Sequence, residues 1–268
     1  MKDRSAGKTF GVPVTLGAFK GRVHPDFNTP AFIHALSDFR ALVSGAAARI
    51  ILDKRNLVAA VSISVSGAGA EIGPGIDAVV KEFRTSGFKK IKTLLVPGKA
   101  AKAWRGAAAC LLLRVPTPLP LAYVERRERG IIVESHFVAS RVDGAQEVRD
   151  FLRTLPPEDL SRLLAALARF LVFVHNQGIL HLDLSDGNVL VRSSSPGTYD
   201  FFLIDTNRIR VRREVPLLVR IRNLVRLGVP PAYQDDFLRF YLGDKGGATP
   251  LRLWYRLNKR SYTGFVAF

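Results

Sequence analysis

Asp183 and Asn188 stand five positions apart in the run "HLDLSDGNVL", His181 to Leu190, and Asp205 follows a second apolar run, "YDFFLID". Carboxylate and amide oxygens suit a hard cation such as Mg²⁺, which takes one or two protein carboxylates and completes its shell with phosphate oxygens and water. A carboxylate can also orient a hydroxyl and accept its proton. Lys81, in "AVVKEF", adds a cation able to hold phosphates. These are the parts of phosphoryl transfer, which needs a bridging metal, a cation on the phosphates and a carboxylate at the acceptor hydroxyl. Singly, each residue has a plainer reading: Asx side chains favour turns, and a lysine on a strand is commonplace. The order of the four along the chain is what sets them apart. Ser185 reads as a substrate contact or a shaper of the loop, and Asp186 as a turn or N-cap-like residue in preference to a ligand.

The surrounding elements must bring these residues together. "TPAFIHALSDF" reads as a short helix with Thr29 as N-cap and Pro30 in its first turn. "ARIILDKRNLVAAVSISVSG" reads as two strands around the polar turn "DKRN". "GAGAEIGPG" reads as a loop, and "IDAVVKEF" as a third strand. "GKAAKAWRGAAACLLLR" is rich in alanine and leucine and reads as a helix that "VPTPLP" ends. "LAYVERRERGIIVESHFVA" reads as a hairpin turning at Gly130. In "PPEDLSRLLAALARFLVFVHNQG", apolar residues at 160, 163, 164, 167, 170, 171 and 174 have helical spacing, with Pro157 at the start and Gly178 at the end. "NVLVR" and "YDFFLID" read as a hairpin across "SSSPGT", which would set Asn188 close to Asp205. The tail reads as helices with basic faces. Residues 1–30, rich in Gly, Pro and basic residues, are expected to be irregular.

Forty Lys and Arg against 23 Asp and Glu give a formal charge of +17. That excess favours an anionic partner without choosing among nucleic acid, phosphorylated sugars and an acidic membrane face. The single cysteine, Cys110, lies in an apolar run. It can make no internal disulfide and reads as a small buried hydrophobe, which fits a reducing compartment. The first residues show no apolar signal-peptide core, and no run of about 18 uncharged apolar residues exists. The expectation is a cytoplasmic protein, with peripheral contact to an acidic membrane surface left open. His24, His34 and His175 lack partners at metal spacing and read as structural or surface residues. Trp104 and Trp254 read as core or interface. Arginines 208, 210, 212, 213, 220, 222 and 226 read either as a solvated face or as a site for a phosphorylated or carboxylated acceptor.

"HLDLSDGNVL" resembles the catalytic loop of protein-kinase-like enzymes, His-x-Asp-x-x-x-x-Asn; "LIDTNR" stands where they carry Asp-Phe-Gly, and "AVVKEF" is similar to their lysine strand. With "AWRGAAACLLLRVPTPLPLAYVE" and the tail pattern "RNLVRLG…DDFLRFYL", the chain after residue 45 resembles the bacterial lipopolysaccharide kinase (Kdo/WaaP) family. The resemblance implies an α+β, two-lobed, protein-kinase-like fold. Its N-lobe would be an antiparallel sheet with one helix, and its C-lobe mostly helical. The expected division is an extension with a short helix (1–45), a nucleotide-binding lobe (46–138) and a catalytic lobe (139–268).

It implies an ATP-dependent kinase using Mg²⁺, with Asp183 as catalytic base, Asn188 and Asp205 on the metal, and Lys81 on the nucleotide phosphates. His181 would buttress the loop. A linker around Glu134–Phe137, with Glu134 and His136, would meet adenine through its backbone. Arg208, Arg210 and Ser185 are the candidates for acceptor contacts. The implied acceptor is a lipopolysaccharide core sugar, Kdo or heptose on lipid A, reached at the cytoplasmic face of the inner membrane. An anionic glycolipid or phosphorylated sugar is thus the expected partner, and nucleic acid is not.

The chain departs from the general kinase pattern in several places. "DKRNLVA" has no glycines, and its Lys54 and Arg55 are candidate replacements for a phosphate-covering loop. No acidic residue lies between Lys99 and Val124 to pair with Lys81, and Glu82 points the other way on its strand. Leu182 replaces the usual arginine, Thr206-Asn207 replace Phe-Gly, and no Ala-Pro-Glu follows. Two other readings therefore stand beside the first. One is a kinase of the same fold acting on protein or a small alcohol. The other is a pseudokinase that binds an anionic partner through its arginines.

Overall fold

The computed structural model describes residues 9–46, 48–63, 75–84, 91–195, 197–243 and 249–266. The chain forms two compact units. Of the described residues, one unit comprises those within 9–109 and 118–142, and the other those within 110–117 and 143–266, so the last residues of the helix spanning 99–112 fall in the second. The first unit therefore takes in the stretch that the sequence sets apart as an N-terminal extension.

The first unit is built on a seven-stranded antiparallel sheet. Its elements are β1 (Val12–Leu16), β2 (Phe19–Val23), α1 (Pro30–Ala35), α2 (Phe39–Ser44), β3 (Arg49–Asp53), β4 (Leu57–Ile63), β5 (Ile76–Glu82), α3 (Lys99–Leu112), β6 (Pro120–Glu128) and β7 (Ile131–Ser140). The strand order is β1-β2-β6-β7-β5-β4-β3. Thr29 caps α1 by accepting from the Phe32 N–H, and Asp38 caps α2 by accepting from the Ala41 N–H. Phe32, Leu36 and Phe39 from this helical pair pack with Val61, Val80, Val124 and Val138 against one face of the sheet. Ala100 and Ala103 of α3 pack with Phe83, Tyr123 and Phe137.

The expectation of irregular backbone over residues 1–30 is corrected by β1 and β2. Val12, Val14 and Leu16 share the half-buried face of β1, alternating with exposed Pro13 and Thr15, and the chain turns at Gly17 with φ +58°. Gly21 lets β2 approach β6, because a Cβ there would lie 1.8 Å from the Tyr123 carbonyl oxygen. Arg22 reinforces the corner by donating to the carbonyls of Thr9, Phe10 and Gly11. Most of the loop expected at "GAGAEIGPG" lies outside the described residues.

The second unit holds β8 (Gln146–Glu147), α4 (Val148–Thr154), α5 (Pro157–Asn176), β9 (Ile179–His181), β10 (Val189–Ser195), β11 (Thr198–Leu203), β12 (Ile209–Val211), α6 (Leu217–Leu224), α7 (Gln234–Leu242) and α8 (Thr249–Val266). Its core is the apolar stripe of α5, with Leu160, Leu163, Leu164, Leu167, Leu171 and Val174 buried against α6, α7 and the β10–β11 hairpin. The unit is less helical than the sequence suggests. β8 pairs with β10 beside the hairpin, and β9 pairs with β12 as a second small sheet. Strands of two or three residues are too short to carry a period-two signal.

Candidate active site

Helix α5 delivers the site. After Asn176 the chain reverses through Gly178 at φ +80°, where a Cβ would sit 2.1 Å from the Arg212 carbonyl oxygen. That close approach lets β12 pair with β9, with Ile209 opposite His181. The loop from Leu182 to Gly187 and residue Asp205 are thus bracketed by one small sheet on one side and by the β10–β11 hairpin on the other. At the base of the hairpin Val189 is opposite Leu203, and the Ile204 N–H donates to the Asn188 carbonyl at 3.1 Å. Of the leucines in this run only Leu184 is an anchor, being fully buried, whereas Leu182 is exposed.

The buried imidazole of His181 ties the two halves of the site. Its Nε2 lies 2.9 Å from the Ile204 carbonyl oxygen, which can only accept, so Nε2 carries the proton. Its Nδ1 accepts from the Asp183 N–H at 3.2 Å. Burial holds this histidine below its ordinary pKa, consistent with the neutral form that the two bonds require. A second set of bonds reaches the same loop from the helices. Asn223 of α6 donates from Nδ2 to the His181 carbonyl and accepts at Oδ1 from His175 of α5. The other His175 nitrogen lies 2.6 Å from the Tyr241 hydroxyl of α7. Burial pushes His175 down to about 4.

The same frame sets the two residues whose oxygens the sequence reading gives to a cation. The Asn188 amide nitrogen donates to the Asp183 carbonyl at 2.7 Å, which leaves Oδ1 as the oxygen available to a cation. Asp205 adopts a left-handed backbone, φ +54° and ψ +47°. That conformation costs a non-glycine residue on the order of 1 kcal/mol and clusters at functional sites. An oxygen from each residue fits a Mg²⁺ ion that completes its shell with phosphate and water. Among the described residues no group of three or more His, Cys, Asp or Glu could hold a metal.

The carboxylate of Asp183 lies against two guanidinium groups. Arg226 Nη1 is 2.5 Å from Oδ1, and Arg208 Nε is 3.7 Å from Oδ2. One oxygen is fixed by Arg226 and the other is only loosely approached. Arg226 is itself braced, because Lys259 of α8 donates to the carbonyls of Val225 and Leu227 on either side of it. Arg220 has a structural role, donating to the Val215 carbonyl and to Asn176. Arg210, on β12, is exposed. Ser185 is half-buried and its carbonyl accepts from the Asn188 N–H, which shapes the loop. Asp186 has the turn role expected of it, accepting from the Gly187 N–H and from Arg149 of α4.

In the first unit, Lys81 of β5 pairs with Phe137 of β7 and extends its ammonium over the Phe83 ring, 5.2 Å from the centroid. The linker expected at Glu134–Phe137 is instead the interior of β7, which runs on to Ser140. β7 lies between β6 and β5, so its backbone groups are spent on the two ladders. Strand alternation also puts Glu134 and His136 on the face opposite Lys81. There His136 stacks on Phe39, ring centroids 4.2 Å apart, and Glu134 pairs with Arg126.

Sequence reasoning missed Glu125. It lies one position beyond the stretch read as lacking acids, and it is buried with its carboxyl pushed up by desolvation. Glu125 Oε1 accepts from the Ala101 N–H in the first turn of α3 and from the Ser135 hydroxyl. It caps that helix from a neighbouring strand, a role that no local motif announces. Asn223, Tyr241 and Lys259 were missed for the same reason.

Comparison with known proteins bears on the family and the fold. The model of the lipopolysaccharide kinase (Kdo/WaaP) family matches residues 98–231. The EKC/KEOPS complex subunit BUD32 of Yarrowia lipolytica is 32% identical over 170 residues, which is 61% of this chain and 64% of that protein. The match thus spans a little under two thirds of that relative's length. Among solved structures, WaaP in complex with acyl carrier protein matches with a TM-score of 0.53 at 21% identity, covering 80% of this chain and 88% of that one. At that identity the likeness speaks for the fold.

Proposed function

Because the chain belongs to the lipopolysaccharide kinase (Kdo/WaaP) family and is therefore a phosphotransferase, we propose that it transfers the γ-phosphoryl group of ATP to a hydroxyl of a lipopolysaccharide core sugar, Kdo or heptose on lipid A. The observation that carries the reading is the grouping of Asp183, Asn188 and Asp205: Asn188 donates to the Asp183 carbonyl, and Ile204, the residue before Asp205, is bonded to both His181 and Asn188. In it, Asp183 orients the acceptor hydroxyl and takes its proton on Oδ2, the oxygen not fixed by Arg226. Asn188 and Asp205 hold Mg²⁺, which when bound supplies charge neutralisation at the phosphates. Lys81 is assigned to the nucleotide phosphates.

Arg208, which only loosely approaches Asp183, reads an anion close to the reacting hydroxyl, as a carboxylated or phosphorylated sugar would present. Arg210 and Ser185 are further acceptor contacts in this reading. The protein works at the cytoplasmic face of the inner membrane, and no helix among the described residues is long and apolar enough to cross a membrane. The test is ADP release on adding lipid A–core acceptors to protein and Mg·ATP. Acceptor-dependent turnover that survives Asp183→Ala would sink the mechanism.

Similarity to an EKC/KEOPS complex subunit favours a second reading, a kinase with an acceptor other than a sugar. A panel of sugar, protein and small-alcohol acceptors separates the two.

A further inference from the structure

Helix α8 has three chemically distinct faces. Tyr255 is fully buried and Lys259 donates inward to the Val225 and Leu227 carbonyls, which fixes the side turned to the protein. On the opposite side Leu253, Trp254 and Leu257 are 56, 39 and 51% exposed. At 3.6 residues per turn these three share one face. Arg252, Arg256 and Arg260 recur every four residues and form a row along the flank of that face. Helix α6 packs against α8 and exposes Leu217 and Leu218. Scattered exposed leucines are ordinary. An exposed Leu-Trp-Leu face bordered by a row of arginines is the pattern of a helix that lies in the interface of a membrane.

We propose that the outward face of α8, with the first turn of α6, is a docking surface for an anionic phospholipid bilayer. Charge selects this occupant. Residues 206–268 carry thirteen Lys and Arg against four Asp and Glu, so the apolar face is presented in a strongly positive field. A second copy of the chain would bring two arginine rows together, whereas acidic headgroups neutralise the row. On the flank, Asp235 pairs with Arg256, and Arg252 and Arg260 extend the row to both sides of that pair. Trp254 stands at the border of the apolar face, the position tryptophan prefers at headgroup level. The surface goes beyond the kinase reading by naming where the lipid is met.

The test uses the full chain without nucleotide, so its failure is distinct from failure of the kinase reading. Vesicles of phosphatidylcholine alone are compared with vesicles of equal parts phosphatidylcholine and phosphatidylglycerol. Cosedimentation with the anionic vesicles alone is expected. The chain has two tryptophans, and Trp104 is fully buried, so an emission change on binding reports Trp254. A blue shift and protection from an aqueous quencher are expected, and Trp254→Phe removes both. Leu253→Ser with Leu257→Ser, and separately Arg252→Glu with Arg260→Glu, should each weaken vesicle binding by about tenfold or more. Unchanged circular dichroism and melting temperature show that the variants fold. The proposal is overturned by absence of vesicle binding, by variants that bind like wild type, or by binding that leaves Trp254 emission unchanged. Capture of an acidic protein through this face in place of vesicles overturns it as well.

Discussion

Two guanidinium groups on one aspartate set a definite expectation at the scale of the residue. Arg226 fixes Oδ1 of Asp183, and in the proposed mechanism Oδ2 is left to the acceptor. Asp183→Asn keeps the shape but cannot accept a proton, so turnover should fall roughly 10²–10⁴-fold with little change in the KM for ATP. Arg226→Ala releases the carboxylate. It should lower kcat by about tenfold to a hundredfold, and Arg226→Lys should restore part of it, since a lysine keeps the charge and loses the fork. Steady-state kinetics with ATP and acceptor varied separately check both. An unchanged kcat in Arg226→Ala would remove that arginine from the mechanism. Asp205→Asn should raise the Mg²⁺ concentration needed for half-maximal rate, read from a titration of the metal at fixed ATP.

At the scale of the element, the helices hold the loop through polar contacts in an apolar core. His175 links α5 to α6 and α7 through Asn223 and Tyr241. Its folded pKa of about 4 lies below the unfolded value of 6.5, so the unfolded chain binds more protons between those values. The contribution of His175 is intact above pH 6.5 and is lost as pH falls toward 4, amounting to about 3 kcal/mol at the acid end. Denaturant melts at pH 7 and pH 5 should differ accordingly, and His175→Gln should flatten the difference. Glu125→Ala leaves the first turn of α3 without its carboxylate, for an expected loss of about 1–3 kcal/mol. Thermal unfolding measures it.

These contacts also explain what the sequence could and could not reveal. The α5 stripe, the Thr29 cap and the β10–β11 hairpin rest on spacing or on one local residue, and all were legible. Asp183, Asn188 and Asp205 could be read as a set because the hairpin registers two of them. β1 and β2 left a weaker trace, a short Val-x-Val-x-Leu alternation before Gly17, hidden among basic and glycine residues. Glu125, Asn223 and Tyr241 act across elements far apart in sequence, where no spacing rule reaches. In the sequence Glu134 and His136 read as a linker, because the end of a strand is the least legible of its features.

At the scale of the whole molecule, the net charge of +17 is unevenly spent. Arg208 and Arg226 sit on Asp183, Arg220 braces α6 and the row on α8 faces outward. Raising salt should therefore weaken vesicle binding steeply, because exposed charges are screened within about 8 Å at physiological ionic strength. It should disturb the partly buried Asp183–Arg226 pair much less. Turnover on a water-soluble acceptor and vesicle binding, measured over one salt series, should separate on that ground.

Lys259 works as a splint. One ammonium, inserted from the last helix, pins the carbonyls before and after Arg226, and burial already holds its pKa below that of an ordinary lysine. The segment after residue 248 contributes no kinase motif, so deleting it looks harmless on paper. The splint makes it otherwise: a chain cut there would keep all four signature residues and lose the rigidity of the arm that holds the Asp183 carboxylate.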